Sequence, residues 1–283
     1  MQLAADTVLA GKYIVLTSLS EHEYYYMYLA KAPTLGEEFI ITEFYPRSMA
    51  IRDENSFVTI GPEYAEAFES RLDKFTMDSR RLMHITANRF FGVREVLSEF
   101  GTAYAVSKKP TGELLQRFIE RADSEENERF NDSVIDGVFD SLRSIASHNI
   151  PISVNPDTIY AENVGSLTFM YEYRFDLREA EIIQNMMKTL YCLITRKIFE
   201  NQYDADWFSG HKYQQLLSGV LENTGEFATL EALNDGIDRY VYNRKKNPIS
   251  SYIAPVILYS VIALILAAGA AYGAFWLSGR FLS

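Results

Sequence analysis

The most constraining feature of the sequence is an uncharged run near its C-terminus. Residues 247–279 contain no charged side chain, and residues 252–276 are almost wholly apolar. Because a helix rises about 1.5 Å per residue, the apolar stretch would extend for about 37 Å, enough to cross a hydrocarbon core of about 30 Å with some tilt. Aromatic residues near both of its ends are typical of interfacial anchors. The run therefore predicts a transmembrane helix over residues 247–279 rather than a buried core helix.

The charges that flank this run predict its orientation. Arg244, Lys245 and Lys246 precede it, whereas Arg280 follows it. Because lysine and arginine accumulate on the cytoplasmic side of a membrane, we expect residues 1–246 in the cytoplasm and residues 280–283 outside. The first six residues lack the basic and apolar regions of a secretory signal. Within the run, Gly269 and Gly273 form a Gly-x-x-x-Gly pattern, which either packs against a second copy of the helix or reflects the general frequency of small residues in membrane helices.

Composition narrows the classes of partner and site. The formal net charge of −11 argues against a nucleic-acid partner, because binding phosphates requires a basic surface. Cys192 is the only cysteine, so an internal disulfide is excluded, and its apolar neighbours predict a buried, unreactive thiol. The four histidines are scattered along the chain, and this spacing predicts no metal site.

Hydrophobic patterns divide the remaining chain into two parts. Residues 13–16, 24–30 and 39–43 are rich in strand-forming residues, residues 64–87 carry apolar residues at helical spacing, and residues 91–107 resemble a hairpin. After the breaker at residues 108–112, three helical patterns follow, at residues 135–146, 183–194 and 230–241. An α+β fold is expected, with a small sheet lobe plus one helix at residues 1–110 and a reduced helical lobe at residues 111–246.

Three segments in this order resemble motifs of the bacterial serine/threonine protein kinase family. Residues 40–46 read Ile-Ile-Thr-Glu-Phe-Tyr-Pro and residues 50–53 read Ala-Ile-Arg-Asp, similar to the Val-Ala-Ile-Lys strand of that family and its Glu-Phe-Phe-Pro and Ala-x-Arg-Asp continuation. Residues 101–106 and 190–195 are similar to the family's Gly-Thr-Ala-Tyr-x-Val and Leu-Tyr-x-Leu-Leu-Thr-Gly segments. The resemblance covers roughly residues 9–199 and implies a two-lobed, protein-kinase-like fold.

The same resemblance implies that the groups required for phosphoryl transfer have been replaced. That reaction needs a cradle for the phosphates, a cation, metal-binding carboxylates and a proton acceptor. The glycine-rich loop falls at residues 20–25, which contain no glycine and two glutamates. The other aligned positions carry Thr42 for the lysine, Asp78 for the helix glutamate, Ser153 for the proton acceptor, Asn155 for the catalytic-loop lysine, Thr158 for the metal-binding asparagine and Met170 for the metal-binding aspartate. We expect Asp78 to be an ordinary helix carboxylate, and residues 173–179 to be too short for a full activation segment.

These replacements imply a degenerate kinase relative, a pseudokinase, without enzymatic activity, cofactor or metal. The function expected from the resemblance is a membrane-anchored docking or scaffolding subunit of a bacterial signalling or secretion assembly, located in the inner membrane and bound to a cytoplasmic or membrane protein. An alternative stays open at this point. Lys31, Asp157 and Glu172 could together hold ATP and Mg²⁺, giving an unconventional ATP-dependent transferase or an ATP-responsive switch.

Overall fold

The computed structural model describes residues 1–122, 130–148, 150, 152–175, 177–200, 203, 205–222 and 226–242. The chain divides into two compact units, Met1–Leu233 and Asn234–Ser283. Within the described ranges, no helix combines the length and apolar character needed to cross a membrane. The predicted transmembrane helix at residues 247–279, with Gly269 and Gly273, lies outside the described residues.

The first unit begins with a lobe built mainly from strands. Its elements, in chain order, are β1 (Val8–Leu9), β2 (Tyr13–Glu21), β3 (Tyr25–Ala32), β4 (Glu37–Phe44), β5 (Ala50–Arg52), β6 (Val58–Ile60), α1 (Ala65–Leu82), β7 (Val93–Glu99) and β8 (Thr102–Lys108). Six of these strands form an antiparallel sheet in the order β1-β2-β3-β4-β8-β7, and β5 pairs with β6 as a separate hairpin. The predicted strand runs and the predicted hairpin are therefore confirmed.

The main sheet curls until its two edges are linked by side chains. The hydroxyl of Tyr13 donates to Glu95 at 2.7 Å, and the backbone amide of Ala10 donates to Glu99 at 2.7 Å, so the start of the sheet contacts β7. The face of the sheet away from α1 carries Tyr28 and Tyr104, both fully buried. This curl gives the lobe an aromatic interior that needs no second sheet to cover it.

The β5–β6 hairpin brings an arginine to that interior. Arg52 on β5 forms an ion pair with Glu43 on β4, and the two side chains are only 2% and 0% exposed. The Tyr28 hydroxyl donates to the same carboxylate at 2.8 Å. The segment that carries the sequence resemblance thus places the β5–β6 hairpin, which the strand patterns did not predict, against the buried interior of the curled sheet.

Helix α1 packs on the opposite face of the sheet. Phe68, Phe75 and Leu82 recur at seven-residue spacing and are buried, and Phe44 on β4 lies 5.3 Å and 5.7 Å from the two phenylalanine rings. The helix is shorter than the predicted residues 64–87. It ends at Leu82 because the next three amides bond to carbonyls three residues back instead of four, which tightens the chain into a turn.

The second lobe of this unit is mainly helical. Its elements are β9 (Glu113–Leu114), α2 (Leu115–Ala122), α3 (Asp132–Ala146), β10 (Ile152–Ser153), β11 (Ile159–Asn163), β12 (Ser166–Phe169), β13 (Glu172–Tyr173), α4 (Glu179–Thr195) and α5 (Gln214–Leu221), and a last helix, α6 (Leu230–Gly236), begins in this unit and ends in the second unit. The predicted helices at residues 135–146 and 183–194 are confirmed as α3 and α4, which bury apolar side chains at helical spacing. The third predicted helix begins as α6 and continues as a π-helical turn, Ile237–Val241. The expected two-lobed α+β arrangement is therefore confirmed.

The described part of the second lobe contains five short strands, β9 to β13, which pair in two small sheets. β11 pairs with β12 and with β9, and β13 pairs with β10 through Ile152–Tyr173 and Ser153–Glu172. Of these strands, β13 brings Glu172 to the cleft between the lobes, whereas Ser153 on β10 and Met170 after β12 are buried.

Candidate functional site

The candidate site is a cleft between the β2–β3 loop and β13. It has a volume of about 290 Å³ and is lined by residues 22–25 of the first lobe and residues 172–175 of the second. The loop lies where the sequence resemblance expects the glycine-rich loop, between the first two long strands. Instead of open backbone, it presents His22, Glu23, Tyr24 and Tyr25.

Glu172 lies at the centre of this cleft, and protein donors approach both of its carboxylate oxygens. The Tyr25 hydroxyl donates to Oε1 at 3.1 Å, and Asn155 Nδ2 donates to Oε2 at 3.4 Å. The imidazole of His22 and the guanidinium of Arg174 lie 3.6 Å and 3.9 Å from Oε1. With 20% of its side chain exposed, Glu172 links the two lobes across the cleft.

The aromatic partners of Glu172 are kept neutral by their surroundings. Burial and the nearby Glu172 carboxylate raise the pKa of Tyr25, so its hydroxyl remains a donor at neutral pH. Burial lowers the pKa of His22 by more than the Glu172 carboxylate raises it. The His22 ring stacks on Tyr25 with centroids 4.2 Å apart, which fixes the loop over the carboxylate.

Asp78 is not the ordinary helix carboxylate that we expected, because it is buried and hydrogen-bonded. Its side chain is only 1% exposed and accepts hydrogen bonds from Lys74 and from the Tyr173 hydroxyl, each at 2.8 Å. Arg81 lies 3.4 Å from its other oxygen. The aligned lysine position, Thr42, is not among these donors, so Asp78 pairs with its own helix and with β13.

The other aligned positions are buried or engaged in local structure. Thr42 lies in the centre of the sheet, between Met27 on β3 and Ala105 on β8, and is 5% exposed. Ser153 is 1% exposed, and its hydroxyl accepts a hydrogen bond from Asn185 at 2.7 Å. These two side chains are unavailable as a phosphate ligand and a proton acceptor.

Met170 and Thr158, at the two positions aligned with metal ligands, are also engaged in packing or local hydrogen bonds. Met170 is 3% exposed, and a thioether is a poor ligand for Mg²⁺. The Thr158 hydroxyl accepts from the Asn155 amide at 3.0 Å and donates to the Asn155 carbonyl at 2.9 Å, closing a capping box. Among the residues that the structure describes, no three histidine, cysteine, aspartate or glutamate side chains form a group able to hold a metal ion.

The three residues of the alternative ATP site are only partly brought together. The backbone amide of Asp157 donates to the Asn155 side chain, which in turn donates to Glu172, so these two acidic residues are linked through Asn155. Lys31 lies near the far end of β3, opposite Glu38, six residues from Tyr25. At about 3.3 Å per residue this separation is about 20 Å along the strand, which places the Lys31 backbone far from Glu172.

Cys192 lies in the core of the second lobe. The residue is fully buried, and burial raises the pKa of its thiol to about 11. At neutral pH the side chain is therefore a protonated thiol, which is a poor nucleophile. This environment agrees with the unreactive, buried thiol that the sequence predicts.

Sequence reasoning missed Tyr25 and Tyr173 as partners of the two acidic residues. Tyr25 lies in the segment, residues 20–25, where the resemblance expects a glycine-rich loop, and the bulky residues in that segment were the available signal. Tyr173 carried no signal, because its partner Asp78 is 95 residues away in sequence.

Comparison with known proteins supports the fold but no closer relationship. No family model matches the sequence, and no curated protein matches it either. The structure is similar to the apo form of PpkA-294, with a TM-score of 0.57 and 14% identity over 83% of this chain and 99% of that chain. It is also similar to the M. tuberculosis PknI kinase domain, with a TM-score of 0.52 and 12% identity over 84% of this chain and 99% of that one.

A third similar structure is Rad53 1–466 in complex with AMP-PNP. Its TM-score is 0.52 at 15% identity, over 79% of this chain and 64% of the Rad53 chain. Together these similarities show that the chain has a protein-kinase-like fold, as the sequence resemblance implies.

Proposed function

We propose that this protein is a catalytically inactive pseudokinase, anchored in a bacterial inner membrane by residues 247–279, and that it serves as a docking or scaffolding subunit. The observation that carries the proposal is the position of Glu172. Its carboxylate lies in the cleft beneath the loop that would cradle the phosphates, where Tyr25 and Asn155 donate hydrogen bonds to it.

The charge and burial of the cleft residues support the loss of phosphoryl transfer. A triphosphate needs cations and open backbone amides, whereas this cleft presents the carboxylates of Glu23 and Glu172, and its Arg174 guanidinium lies 3.9 Å from Glu172. Thr42, Ser153 and Met170 are each at most 5% exposed, so ligands cannot reach them without rearrangement. Because the groups that transfer a phosphoryl group act as a unit, the loss of even one of them removes most of the activity, and here several are replaced.

Retention of the whole two-lobed body without this chemistry supports a role in protein recognition. A body that faces the cytoplasm and is tethered to the bilayer is restricted to partners at the membrane surface, which suits a signalling or secretion assembly. We propose a cytoplasmic or membrane protein as the partner. A nucleic acid is disfavoured by the net charge of −11.

Addition of ATP and Mg²⁺ is expected to leave the melting temperature of the detergent-solubilised protein unchanged within about 1 °C, even at about 5 mM nucleotide. A ligand present at about 100 times its Kd would stabilise the folded state by about 2.7 kcal/mol and raise the melting temperature by several degrees. Sodium sulfate at matched ionic strength is the control, and transfer of labelled phosphate to the protein or to a generic substrate should be undetectable.

A nucleotide-dependent shift would contradict the inactive-cleft proposal and favour the ATP-responsive switch. The variants Lys31→Ala and Glu172→Ala would then show which side chains cause the shift in melting temperature, because the ATP-binding alternative requires both. Loss of the shift in Glu172→Ala alone would place nucleotide in the cleft without help from Lys31.

Two arginines placed in the middle of the proposed anchor are expected to release the protein from the membrane fraction. Each arginine near the centre of a membrane helix costs about 3 kcal/mol on insertion scales, so Leu264→Arg with Ala268→Arg should prevent stable insertion. The matched control, Leu264→Ile with Ala268→Leu, should remain in the membrane fraction after a carbonate wash. Equal distribution of the two variants would remove the anchor from the proposal.

A further inference from the structure

β13 contacts the first lobe at two separate elements, although it consists of only two residues. Successive side chains of a strand point in opposite directions. Glu172 accepts a hydrogen bond from Tyr25 beside the β2–β3 loop, and the hydroxyl of the next residue, Tyr173, donates to Asp78 on α1. Pairing with β10 fixes the backbone of β13 to the second lobe.

Aromatic rings join these two contacts. The Tyr173 ring packs edge-on against Phe75 of α1 at 5.2 Å and against Phe175 at 5.0 Å. Phe175 in turn lies 5.1 Å from Tyr24 in the loop and 5.7 Å from Phe44 on β4. A continuous set of packed rings therefore runs from α1, across the segment after β13, to the loop.

We propose that β13 and Phe175 form a clasp that holds α1 and the β2–β3 loop to the second lobe as one mechanical unit. β13 carries the acceptor of one hydroxyl bond and the donor of the other, so a displacement of β13 strains both bonds together. A partner that moves α1 therefore opens the cleft at Glu172, and a ligand that displaces the loop loosens α1. The clasp concerns how the lobes are held and does not depend on whether the cleft has lost its activity.

Hydrogen-exchange mass spectrometry of the full chain in detergent tests this coupling. The exchange rate of the loop is measured after the bond to α1 is removed, and that of α1 after the loop bond is removed. Tyr173→Phe deletes the bond to α1 and keeps the ring contacts, and it should accelerate exchange about fivefold in the loop peptide, residues 20–27. Tyr25→Phe deletes the loop bond and should accelerate exchange to a similar extent at the end of α1, residues 74–84. The matched control is Tyr213→Phe, because the Tyr213 hydroxyl donates to Asp136 at 2.6 Å within the second lobe, and it should change neither peptide.

Acceleration confined to the element that lost its bond would overturn the proposal, because it would mean that the two contacts are independent. Equal acceleration by Tyr213→Phe would overturn it too, by attributing the effect to general destabilisation. If Tyr173→Phe does not fold, as judged by its melting curve, the effect of Tyr25→Phe on residues 74–84 decides alone. That variant also keeps its ring stack on His22, so only the hydroxyl bond is changed.

Discussion

Replacement of Glu43 by alanine is expected to lower the free energy of unfolding by about 3–5 kcal/mol, because it leaves the Arg52 guanidinium buried without its carboxylate. The Arg52 side chain is 2% exposed, so water cannot replace the lost partner. Urea denaturation of the detergent-solubilised protein, followed by tryptophan fluorescence, measures the loss as a lower midpoint at unchanged slope.

The surroundings of the pair explain why the loss should be large. Burial lowers the pKa of Arg52, but Glu43 and Tyr104 together raise it by more, so the guanidinium stays charged in the folded protein. Its Nε donates to the carbonyl of Met1 at 3.0 Å and its Nη1 to the carbonyl of Ser56 at 2.6 Å, and neither acceptor carries a charge. The Tyr28 hydroxyl would lose its acceptor as well.

The control is an exposed ion pair between Glu37, which also lies on β4, and Lys108 on β8. The Glu37 carboxylate lies 2.8 Å from the Lys108 ammonium, and the two side chains are 36% and 49% exposed. Glu37→Ala should therefore lower the free energy of unfolding by at most about 1 kcal/mol. The double variant Glu43→Met with Arg52→Met should recover much of the loss, because it removes both buried charges. Equal losses for Glu43→Ala and Glu37→Ala would show that the buried pair contributes no more than a surface pair.

The same pair illustrates what the sequence could and could not predict about the fold. Strands β2, β3 and β4 were predicted because their segments are rich in strand-forming residues, and helices α1, α3 and α4 because each repeats its apolar residues at helical spacing. The β5–β6 hairpin was missed because Arg52 looks like a solvated turn residue in its local context. Its burial follows from Glu43 on another strand, a contact that periodicity does not contain.

The candidate site was predictable to a smaller extent. Alignment to kinase motifs placed Thr42, Ser153 and Met170, but it gave no information on what replaces the lost interactions. The Tyr25–Glu172 bond joins residues 147 positions apart and depends on how the two lobes close. Its existence is therefore a property of the tertiary structure rather than of any local segment.

The substitution Gly112→Ala is expected to lower the free energy of unfolding by about 4 kcal/mol, because this glycine passes directly under another backbone. Its φ of +90° is a backbone conformation that residues with a side chain disfavour, and an added Cβ would clash with the Ala161 carbonyl oxygen and lie 2.8 Å from the Glu162 nitrogen. Strain at such a φ costs about 1–3 kcal/mol and forced overpacking about the same again. The clash is with backbone, so no side-chain rotation can relieve it.

A control substitution at Gly36 separates the cost of the positive φ from the cost of the backbone clash. Gly112 connects β8 of the first lobe to β9, which pairs with β11 through Leu114–Tyr160 and Glu113–Ala161, so relief of the clash must distort the connection between the lobes. Gly36 has a similar φ of +65° with no atom within 4 Å of an added Cβ, and Gly36→Ala should therefore cost only about 1 kcal/mol. Urea denaturation of the two variants measures both losses. If they are equal, the positive φ alone explains the need for glycine, and the close approach of β11 does not constrain the path between the lobes.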